Sequence, residues 1–586
     1  MKTSRKIALF LFPPALMVLV LAARRAAGPP EERWGVMTHF AQGWSPDLIP
    51  AIAHGGIPTV RDELYWAKVE PKPHVYSFPP AYDAYMAALR RNHIEPLVVL
   101  SFENGNYDGG DTPHTPEARA AYARYAVEVL RHYGSQIKAV EIWNEYNGSF
   151  SKGPATEDRA ASYLALLRAA YAAIKRERPD VIVVGGATSG VPLPYWEKLL
   201  AGGALDSLDV LSVHPYRYDE PPEGLEAQIA GLQRLVLAHN SGVARPVWVT
   251  EIGWYTKPSR APGDLAIDER TQAEFLARAY ALLLSARVQR VYWYAFQDEN
   301  DLTMGLVRND GPHTAKPAYT ALATLAEQLR HARFVGRDDT PEDLYSLRFE
   351  RPSGEAVRVV WSLQPRPVTL TGAKAAVDLE GRAVPPNGTI TLNDSPLFFS
   401  GPLAGLPRAP SAAEAAESAV LADSSRDFAG PPDTGAWSYG EFVGDSTTFA
   451  PLAAVAESDW KKSWSGEYPY LSITAGDQHP SVAGDGAPVA AVRRWRSGYD
   501  GTVRVAGSFR CGLQGDGVGV SIVVDGQRRF RTLIGGGADR PVVESFDFTM
   551  PARAGTTIDF AVDPGPAANL DFDATTVAAV IRKEQP

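Results

Sequence analysis

Short apolar runs alternate with helical stretches over the first half of the chain, from residue 34 to about residue 330. The runs lack the polar alternation of a strand with one wet face, so both faces of each predicted strand should be buried. The eight runs are WGVMTHF, TVRDELY, EPLVVLSF, AVEIWNE, VIVVGGA, VLSVHPY, VWVTEIGW and VYWYAF. Eight strand–helix units over residues 30–332 predict a (β/α)8 TIM barrel. A doubly wound open sheet is the alternative, but no glycine-rich phosphate fingerprint follows the first run.

The stretches between the runs have the period of amphipathic helices. Apolar residues fall on one helical face at 82, 85, 86 and 89, and again at 163, 166, 167, 170 and 174. Thr115 followed by Pro116 is typical of a helix N-terminus, with a capping hydroxyl and a proline in the first turn. The class is therefore α/β in this half of the chain.

The second half has the pattern of antiparallel strands and turns. Residues 333–402 predict a small β-sandwich, with strands at LYSLRF, VRVVWSL, TITL and LFF. Residues 403–435 are rich in Ala, Pro and Ser and predict a linker, helical in part at SAAEAAESAVLA. Residues 436–586 predict a jelly-roll-like accessory module. Its aromatic residues are consistent either with a polysaccharide-binding face or with core: Trp437, Tyr439, Trp460, Trp464, Tyr468, Tyr470 and Trp495.

The first 27 residues predict a signal peptide or a membrane anchor. Lys2, Arg5 and Lys6 precede an apolar run over residues 7–23, which is the order of an export signal. The run is at the short limit for a spanning helix, but a membrane tether through it is a second interpretation. We therefore expect an exported protein that is secreted, periplasmic or anchored on the outer face of a membrane.

Composition and charge narrow the function. A net charge of −10 over 586 residues, without a basic cluster, excludes a typical nucleic-acid partner. The single cysteine, Cys511, allows no intrachain disulfide. No Cys cluster or His spacing indicates a metal site, so we expect none. The 13 Trp and 24 Tyr supply flat apolar rings with polar edges, which suit sugar rings as well as protein cores.

Two glutamates end predicted barrel strands. Glu145 closes the fourth run, after Asn144, and Glu251 closes the seventh. Side chains at these strand ends converge on the active-site face of a (β/α)8 barrel. Hydrolysis of a glycosidic bond with retention requires such a pair, one carboxylic acid and one carboxylate ~5 Å apart, with different pKa values.

An ordered set of motifs extends this pair. WNE follows strand four and TEIGW ends strand seven, with Arg61 in strand two, His214-Pro215-Tyr216 after strand six, and an aromatic strand eight. Over the barrel, about half of the chain, the sequence resembles the retaining (β/α)8 glycoside hydrolases of clan A. It most resembles family 39 and related bacterial exopolysaccharide glycosidases. The family's usual Tyr-Asp in strand eight is here Tyr294-Ala295.

The resemblance implies a role for each matching residue. Glu145 would be the acid/base and Glu251 the nucleophile, without a cofactor. The other matching residues would bind the sugar or hold the nucleophile: Asn144 at the 2-hydroxyl, Arg61 and Tyr216 at the nucleophile, His214 along the same wall and Trp293 as the stacking floor.

Each assignment has a structural alternative. Arg61 could pair with Asp62 or Glu63 on the rim, and His214 could be a packed core histidine. Trp293 could belong to the core, with Tyr294 or Phe296 in the pocket instead. Glu103 and Asn104, after the third run, are further candidates for contact with the substrate.

We interpret the chain as a retaining β-glycosidase that hydrolyses O-glycosidic bonds of an extracellular polysaccharide. Short barrel loops favour an open cleft and endo action, and we expect a monomer. The alternative is a non-catalytic cell-surface protein that binds or assembles polysaccharide on a barrel scaffold.

Overall fold

The computed structural model describes residues 33–218, 220–256, 267–299, 302–409, 420–428, 436–452, 454–457, 462–511, 517–535, 542–570 and 573–584. Eight parallel strands form a closed barrel in chain order, and β8 pairs with β1. The barrel strands are β1 (Trp34–Met37), β2 (Thr59–Tyr65), β3 (Glu95–Ser101), β4 (Ala139–Ile142), β5 (Ile182–Ser189), β6 (Val210–His214), β7 (Val247–Ile252) and β8 (Arg290–Trp293). Each of the eight predicted runs overlaps a barrel strand, which confirms the TIM-barrel prediction.

Helices surround the barrel. Their bounds are α1 (Ile49–His54), α2 (Trp66–Val69), α3 (Pro80–Arg91), α4 (Pro116–Tyr133), α5 (Arg159–Glu177), α6 (Leu193–Ala201), α7 (Leu225–His239), α8 (Glu269–Ser285) and α9 (Pro317–Gln328). Thr115 caps α4 as predicted, because its side-chain oxygen accepts a hydrogen bond from the Ala118 amide at 3.2 Å. The apolar positions predicted for α3 and α5 are buried.

A small sandwich follows the barrel. Its strands are β9 (Arg333–Arg337), β10 (Leu344–Glu350), β11 (Ala356–Ser362), β12 (Arg366–Leu370), β13 (Ala375–Val377), β14 (Ala383–Val384), β15 (Gly388–Leu392) and β16 (Leu397–Ser400). Six strands form one sheet in the order β14-β13-β16-β11-β10-β9, and β12 pairs with β15 in a separate ribbon. One face of the sheet belongs to the same apolar core as the barrel. Trp361 on that face donates a hydrogen bond from Nε1 to Glu223 at 2.9 Å.

The C-terminal part of the chain is a two-sheet antiparallel sandwich. One sheet has the order β20-β21-β22-β23-β31-β26-β29 with β17 beside β31, and the other β19-β18-β25-β30-β27-β28 with β24 beside β25. The strands are β17 (Val420–Asp423), β18 (Trp437–Val443), β19 (Ala450–Pro451), β20 (Ala454–Glu457), β21 (Lys462–Ser465), β22 (Ser472–Ile473), β23 (Asp477–His479), β24 (Ser481–Val482), β25 (Pro488–Arg496), β26 (Gly501–Cys511), β27 (Val518–Val524), β28 (Gln527–Ile534), β29 (Val542–Ala552), β30 (Thr557–Asp563) and β31 (Thr575–Lys583).

The sandwich uses most of its aromatic residues as core. Trp437 and Trp495 are partners on adjacent strands, and each is 1% exposed. Tyr439 and Trp464 are also buried, and their rings stack at 5.5 Å. Tyr470 is 73% exposed, and Trp460 lies outside the described residues. The aromatic residues therefore give more support to a core than to a continuous binding face.

The predicted linker contains part of this sandwich. Strand β17 lies within residues 403–435 and pairs with β31. The C-terminal sandwich therefore includes residues before the predicted boundary at residue 436. The helix predicted at SAAEAAESAVLA is wrong for its last three residues, 420–422, because they belong to β17. Pairing with β31 replaces the local helical tendency there, while residues 411–419 lie outside the described residues.

The predicted signal or anchor over residues 1–27 also lies outside the described residues. Within the part of the chain that the structure describes, no helix has the length and apolar character needed to cross a membrane.

Candidate active site

The C-terminal end of β4 carries the WNE motif in an unusual backbone conformation. Trp143 and Glu145 both have positive φ, at 66° and 40°, a region that non-glycine residues rarely occupy. The Glu145 amide donates to the carbonyl oxygen of Ala187 at 2.8 Å, which ties this turn to β5. Such conformations cost energy and cluster at functional sites. The apolar strand therefore ends in a turn that places Glu145 at the mouth of the barrel.

Glu145 and Glu251 meet across the mouth, with His214 beside them. One side-chain oxygen of each glutamate and one ring nitrogen of His214 all lie within 4.8 Å of one another. His214 Nδ1 is 3.0 Å from Oε1 of Glu145, and Nε2 is 3.0 Å from Thr250 Oγ1. His214 is buried, but it lies against both carboxylates. It is thus packed and also part of the site.

The Arg61 side chain binds one member of this pair, Glu251, together with two neighbouring side chains. Its guanidinium donates to Glu141 through Nε at 2.6 Å, to Glu251 through Nη1 at 2.5 Å and to Asn144 through Nη2 at 2.7 Å. Burial alone would lower the pKa of Arg61, but the charges of Glu141 and Glu251 raise it above its ordinary value. The arginine therefore stays charged and fixes one oxygen of Glu251.

The rim pairing of Arg61 with Asp62 or Glu63 does not occur. Successive residues of a strand point to opposite faces, so Arg61 points into the barrel and Asp62 points away from it. Asp62 instead accepts hydrogen bonds from the Thr38 hydroxyl at 2.7 Å and the Phe40 amide at 2.8 Å. Burial, together with the charge of Glu63, raises the pKa of Asp62 to about 7.

Tyr216 holds the other oxygen of Glu251. Its hydroxyl donates to Oε2 at 2.8 Å. Burial and the nearby charge of Glu251 raise the pKa of Tyr216 well above its ordinary value, so the hydroxyl remains a donor. Glu251 is therefore fixed on one side by a cation and on the other by a neutral phenol.

Trp293 does not form the floor of the site, which corrects the prediction. It is fully buried between the barrel and the helices, 5.9 Å from the Trp254 ring, and Nε1 donates to the Met304 carbonyl at 2.8 Å. Tyr294, one residue later, lines the cavity instead. The alternation of the strand gives the physical reason, since Trp293 faces outward. Phe296 is also buried, against Tyr319.

The cavity at the mouth has a volume of about 400 Å³ and includes residues that the sequence analysis did not assign to the site. Two of them lie at the end of β2, and the others lie on segments that follow β1, β3, β4, β6 and β7. These residues are His39, Gln42, Glu63, Tyr65, Phe102, Phe150, Tyr218 and Tyr255.

His39 is a buried cation at the edge of this cavity. Burial alone would lower the pKa of His39, but hydrogen bonding to Glu63 and the charges of Glu63, Glu299 and Asp62 raise it to about 9. Its Nδ1 lies 3.5 Å from Glu63 and its Nε2 lies 3.6 Å from Glu299. At neutral pH this histidine is therefore protonated between two carboxylates.

Two other candidates have different roles. The carboxylate of Glu103 pairs with Lys152 at 2.5 Å. Asn104 is buried, and its side-chain NH2 donates to the Glu70 carbonyl at 2.9 Å. Asn104 therefore closes a loop, and neither residue lines the cavity.

The same carboxylates have the donor chemistry of a metal site. Glu145, His214 and Glu251 offer two carboxylates and an imidazole within reach of one ion. Arg61 already places a positive charge 2.5 Å from Glu251, and it would repel a second cation there. The set therefore fits an arginine-bound carboxylate pair better than a metal centre.

Comparison with known proteins identifies similar folds. No protein-family model matches the chain, and no curated protein matches it either. A family 39 glycoside hydrolase from the gut symbiont Bacteroides cellulosilyticus WH2 has 23% sequence identity and a TM-score of 0.55, over 64% of this chain and 81% of that chain. The catalytic domain of a GH30 xylanase C from Talaromyces cellulolyticus has 15% identity and a TM-score of 0.48, over 64% and 98% of the two chains. A GH39 β-xylosidase from Caulobacter crescentus has 17% identity and a TM-score of 0.45, over 65% and 98%.

The resemblance to family 39 read from the motifs is thus confirmed at the level of the fold. Identity of 23% to the first of these structures establishes a shared barrel. The roles of individual residues depend on the geometry of this site.

Proposed function

We propose that this chain is a retaining glycoside hydrolase with Glu145 as the acid/base and Glu251 as the nucleophile. The observation that carries the proposal is the approach of the two carboxylates, whose oxygens lie within 4.8 Å across the barrel mouth. Retaining enzymes require carboxyl groups ~5 Å apart, whereas inverting enzymes need ~6.5–9.5 Å to admit a water molecule. The spacing supports retention.

The first step would transfer the sugar to the enzyme. An oxygen of Glu251 attacks the anomeric carbon as the bond to the leaving oxygen breaks, and Glu145 gives its proton to that oxygen. Arg61 and Tyr216 hold the two oxygens of Glu251, so the attacking group is oriented before the substrate arrives. The products are a glycosyl ester on Glu251 and a free alcohol.

The second step would return the enzyme to its starting state. Glu145, now a carboxylate, takes a proton from water while the water oxygen attacks the anomeric carbon and the ester bond to Glu251 breaks. The side-chain oxygen of Asn144 accepts a hydrogen bond from Arg61 Nη2 at 2.7 Å, which leaves the NH2 group of Asn144 to donate to a sugar 2-hydroxyl. Such a bond strengthens in the oxocarbenium-like transition state.

The substrate we propose is a β-linked extracellular polysaccharide, cleaved internally. The motif resemblance supports the β-linkage, and the exposed rings of Phe150 and Tyr218 along the cavity support an open cleft and endo action. The basic and apolar order of residues 1–23 supports export, with secretion, the periplasm or an outer-face anchor as the possible locations.

The test is a screen of purified full-length protein against β-linked polysaccharides and aryl β-glycosides, with Glu145→Gln and Glu251→Gln in parallel. We expect turnover by the parent, loss of about 10³-fold or more in each variant, and a first product of retained anomeric configuration by NMR. Glu177→Gln is the control, because Glu177 lies on the outer surface and pairs with Arg131.

The outcomes separate the two functions considered. A first product of inverted configuration would contradict the double-displacement mechanism. Binding of a polysaccharide without cleavage, equal in parent and variants, would instead support a non-catalytic binding or assembly protein.

A further inference from the structure

Two exposed aromatic side chains border the cavity that contains the carboxylates. Phe150 is 43% exposed and Tyr218 is 37% exposed. They are the exposed large aromatic residues among the described residues of the barrel, and both line the cavity. A single exposed aromatic residue is common on protein surfaces, but two in one cavity indicate a ligand that covers apolar rings.

Each exposed ring is supported by a second ring that is nearly parallel to it. Phe150 stacks on Phe102 with centroids 5.5 Å apart and 17° between the planes. Tyr218 stacks on Tyr216 at 4.8 Å and 13°. Stacking of this kind fixes the orientation of a ring, so each exposed ring is preorganised.

The rings lie on two sides of the catalytic pair. Phe102 and Phe150 follow β3 and β4, whereas Tyr218 follows β6 and stacks with Tyr255, which follows β7, at 5.9 Å. In a closed barrel of eight strands these positions are separated around the mouth. A chain that passes over the pair can therefore contact both rings.

The charge of the cavity restricts the ligand. Its described lining includes the carboxylates of Glu63, Glu145 and Glu251, and no lysine or arginine. The protonated His39 also lines it, but this cation already lies between the carboxylates of Glu63 and Glu299, at 3.5 and 3.6 Å. Arg61 lies beneath it and is 1% exposed, with its nitrogens bound to protein oxygens. A sugar acid would find carboxylates and no accessible guanidinium, and like charges in a partly buried site repel.

We propose that Phe150 and Tyr218 are stacking platforms for two units of one pyranose chain, on either side of the Glu145–Glu251 pair, and that this chain lacks carboxylate groups. The inference rests on the proposed function, because it takes the carboxylates as the point of cleavage. The apolar faces of the sugar rings cover the exposed parts of the two aromatic rings, while the hydroxyl groups remain at the edges.

The test measures binding and cleavage separately. In a Glu145→Gln background, calorimetry would follow binding of xylo-, cello- and manno-oligosaccharides of increasing length, with oligomannuronates as the anionic counterpart. Phe150→Ala and Tyr218→Ala should each weaken binding of the longer members of a neutral series by about tenfold, and leave an aryl monosaccharide unaffected. Tyr218→Phe keeps the ring and should bind like the parent.

The control is Val243→Ala, since Val243 is 61% exposed before β7 and outside the cavity. It should change neither binding nor thermal stability. Four results would each overturn the proposal. Binding could be unchanged in both alanine variants, or the aryl monosaccharide could lose as much affinity as the longer oligosaccharides. The protein could also bind no neutral series, or bind oligomannuronates more tightly than the neutral series.

Failure of this inference and failure of the proposed function give different results. If the parent and both alanine variants hydrolyse the substrate equally well, the platform proposal is wrong and the glycosidase proposal stands. Length-dependent binding that both variants weaken, without hydrolysis by the parent, would keep the platforms and remove the glycosidase.

Discussion

Arg61 in the barrel and Arg493 in the C-terminal sandwich are both buried almost completely, but they are held in opposite ways. Arg61 donates to the carboxylates of Glu141 and Glu251. Arg493 donates to neutral oxygens, those of the Gln478 side chain and of the Ser424, Ala475, Thr474 and Asp477 carbonyls. Burial lowers the pKa of Arg493 to about 10, whereas the carboxylates raise that of Arg61.

The difference separates a structural cation from one suited to chemistry. The partners of Arg493 lie in β23, in the residues before it and just after β17, and they do not change charge, so this arginine connects β25 to those segments. Glu251, a partner of Arg61, would lose and regain its charge in each catalytic cycle. A buried cation beside a carboxylate of variable charge is therefore informative about function, whereas burial alone is not.

Among the variants that test this contrast between the two arginines, the largest expected effect is that of Arg61→Met. The variant leaves Glu141 buried without its cation and frees one oxygen of Glu251. We expect a loss of activity of about 10²–10³-fold, as for removal of a preorganised electrostatic partner, and destabilisation by ~3–5 kcal/mol. Kinetics on an aryl glycoside and urea unfolding measure the two effects.

Arg131→Met is the matched control for this variant. Arg131 pairs with Glu128 and Glu177 on the surface and is 54% exposed. We expect unaltered activity, and equal losses in both arginine variants would contradict a special role for Arg61.

Arg493→Met should affect stability and leave catalysis intact. The change removes the donor for several buried carbonyl oxygens, which should destabilise the sandwich by ~2–5 kcal/mol. Calorimetry should show a lower transition temperature, with unchanged turnover of an aryl glycoside. The control is Arg504→Met, whose partner Asp547 is exposed; it should leave the transition temperature unchanged, because exposed ion pairs contribute little to stability. Loss of turnover in Arg493→Met would contradict the conclusion that Arg493, unlike Arg61, has only a structural role.

His39 tests whether carboxylate partners keep a buried cation charged. Its pKa is raised from 6.5 to about 9 in the folded protein. The stabilisation is therefore fully present below pH 6.5 and is lost as the pH rises through 9. We expect a loss of ~1–3 kcal/mol over this window, measured as the free energy of unfolding against pH. His39→Asn should flatten that part of the profile, and an unchanged slope would assign it to other groups.

Glu141→Gln should have the smallest effect, because it gives Arg61 a neutral partner like those of Arg493. The positive charge of Arg61 would then no longer be shared between two carboxylates. Arg61 would therefore bind the Glu251 carboxylate more strongly and oppose its attack on the anomeric carbon. We expect kcat to fall by about tenfold, ~1.4 kcal/mol, with little change in KM. A rise in KM with unchanged kcat would instead indicate a general distortion of the cavity.

The sequence allowed the barrel and its central pair to be predicted, since both follow from local pattern. Uninterrupted apolar runs identify buried parallel strands, and Glu145 and Glu251 directly end two of them. Trp293 was assigned wrongly because strand eight is aromatic on both faces, so its pattern did not reveal which face Trp293 takes. Tyr292 packs inside the barrel, and Trp293, on the opposite face, packs in the core shared with the helices.

The positions of side chains that are set by tertiary contacts could not be predicted from the sequence. Phe150 and Tyr218 lie on loops, and nothing in their local sequence shows that both border one cavity. In the sandwich, Trp437 and Trp495 have the composition of a sugar platform, but strand pairing turns both into the core. Aromatic content therefore indicated carbohydrate binding without locating it.

The shared core of the barrel and the six-stranded sheet determines where the chain can be cut. Phe349, Val359 and Trp361 of the sheet belong to the same apolar cluster as the barrel. A fragment that stops at residue 332 would therefore expose the apolar barrel residues that pack against the sheet, and such a surface is prone to aggregate. The C-terminal sandwich has a separate core. The shortest fragment we expect to express in soluble form therefore runs from residue 33 to about residue 402, rather than ending with the barrel.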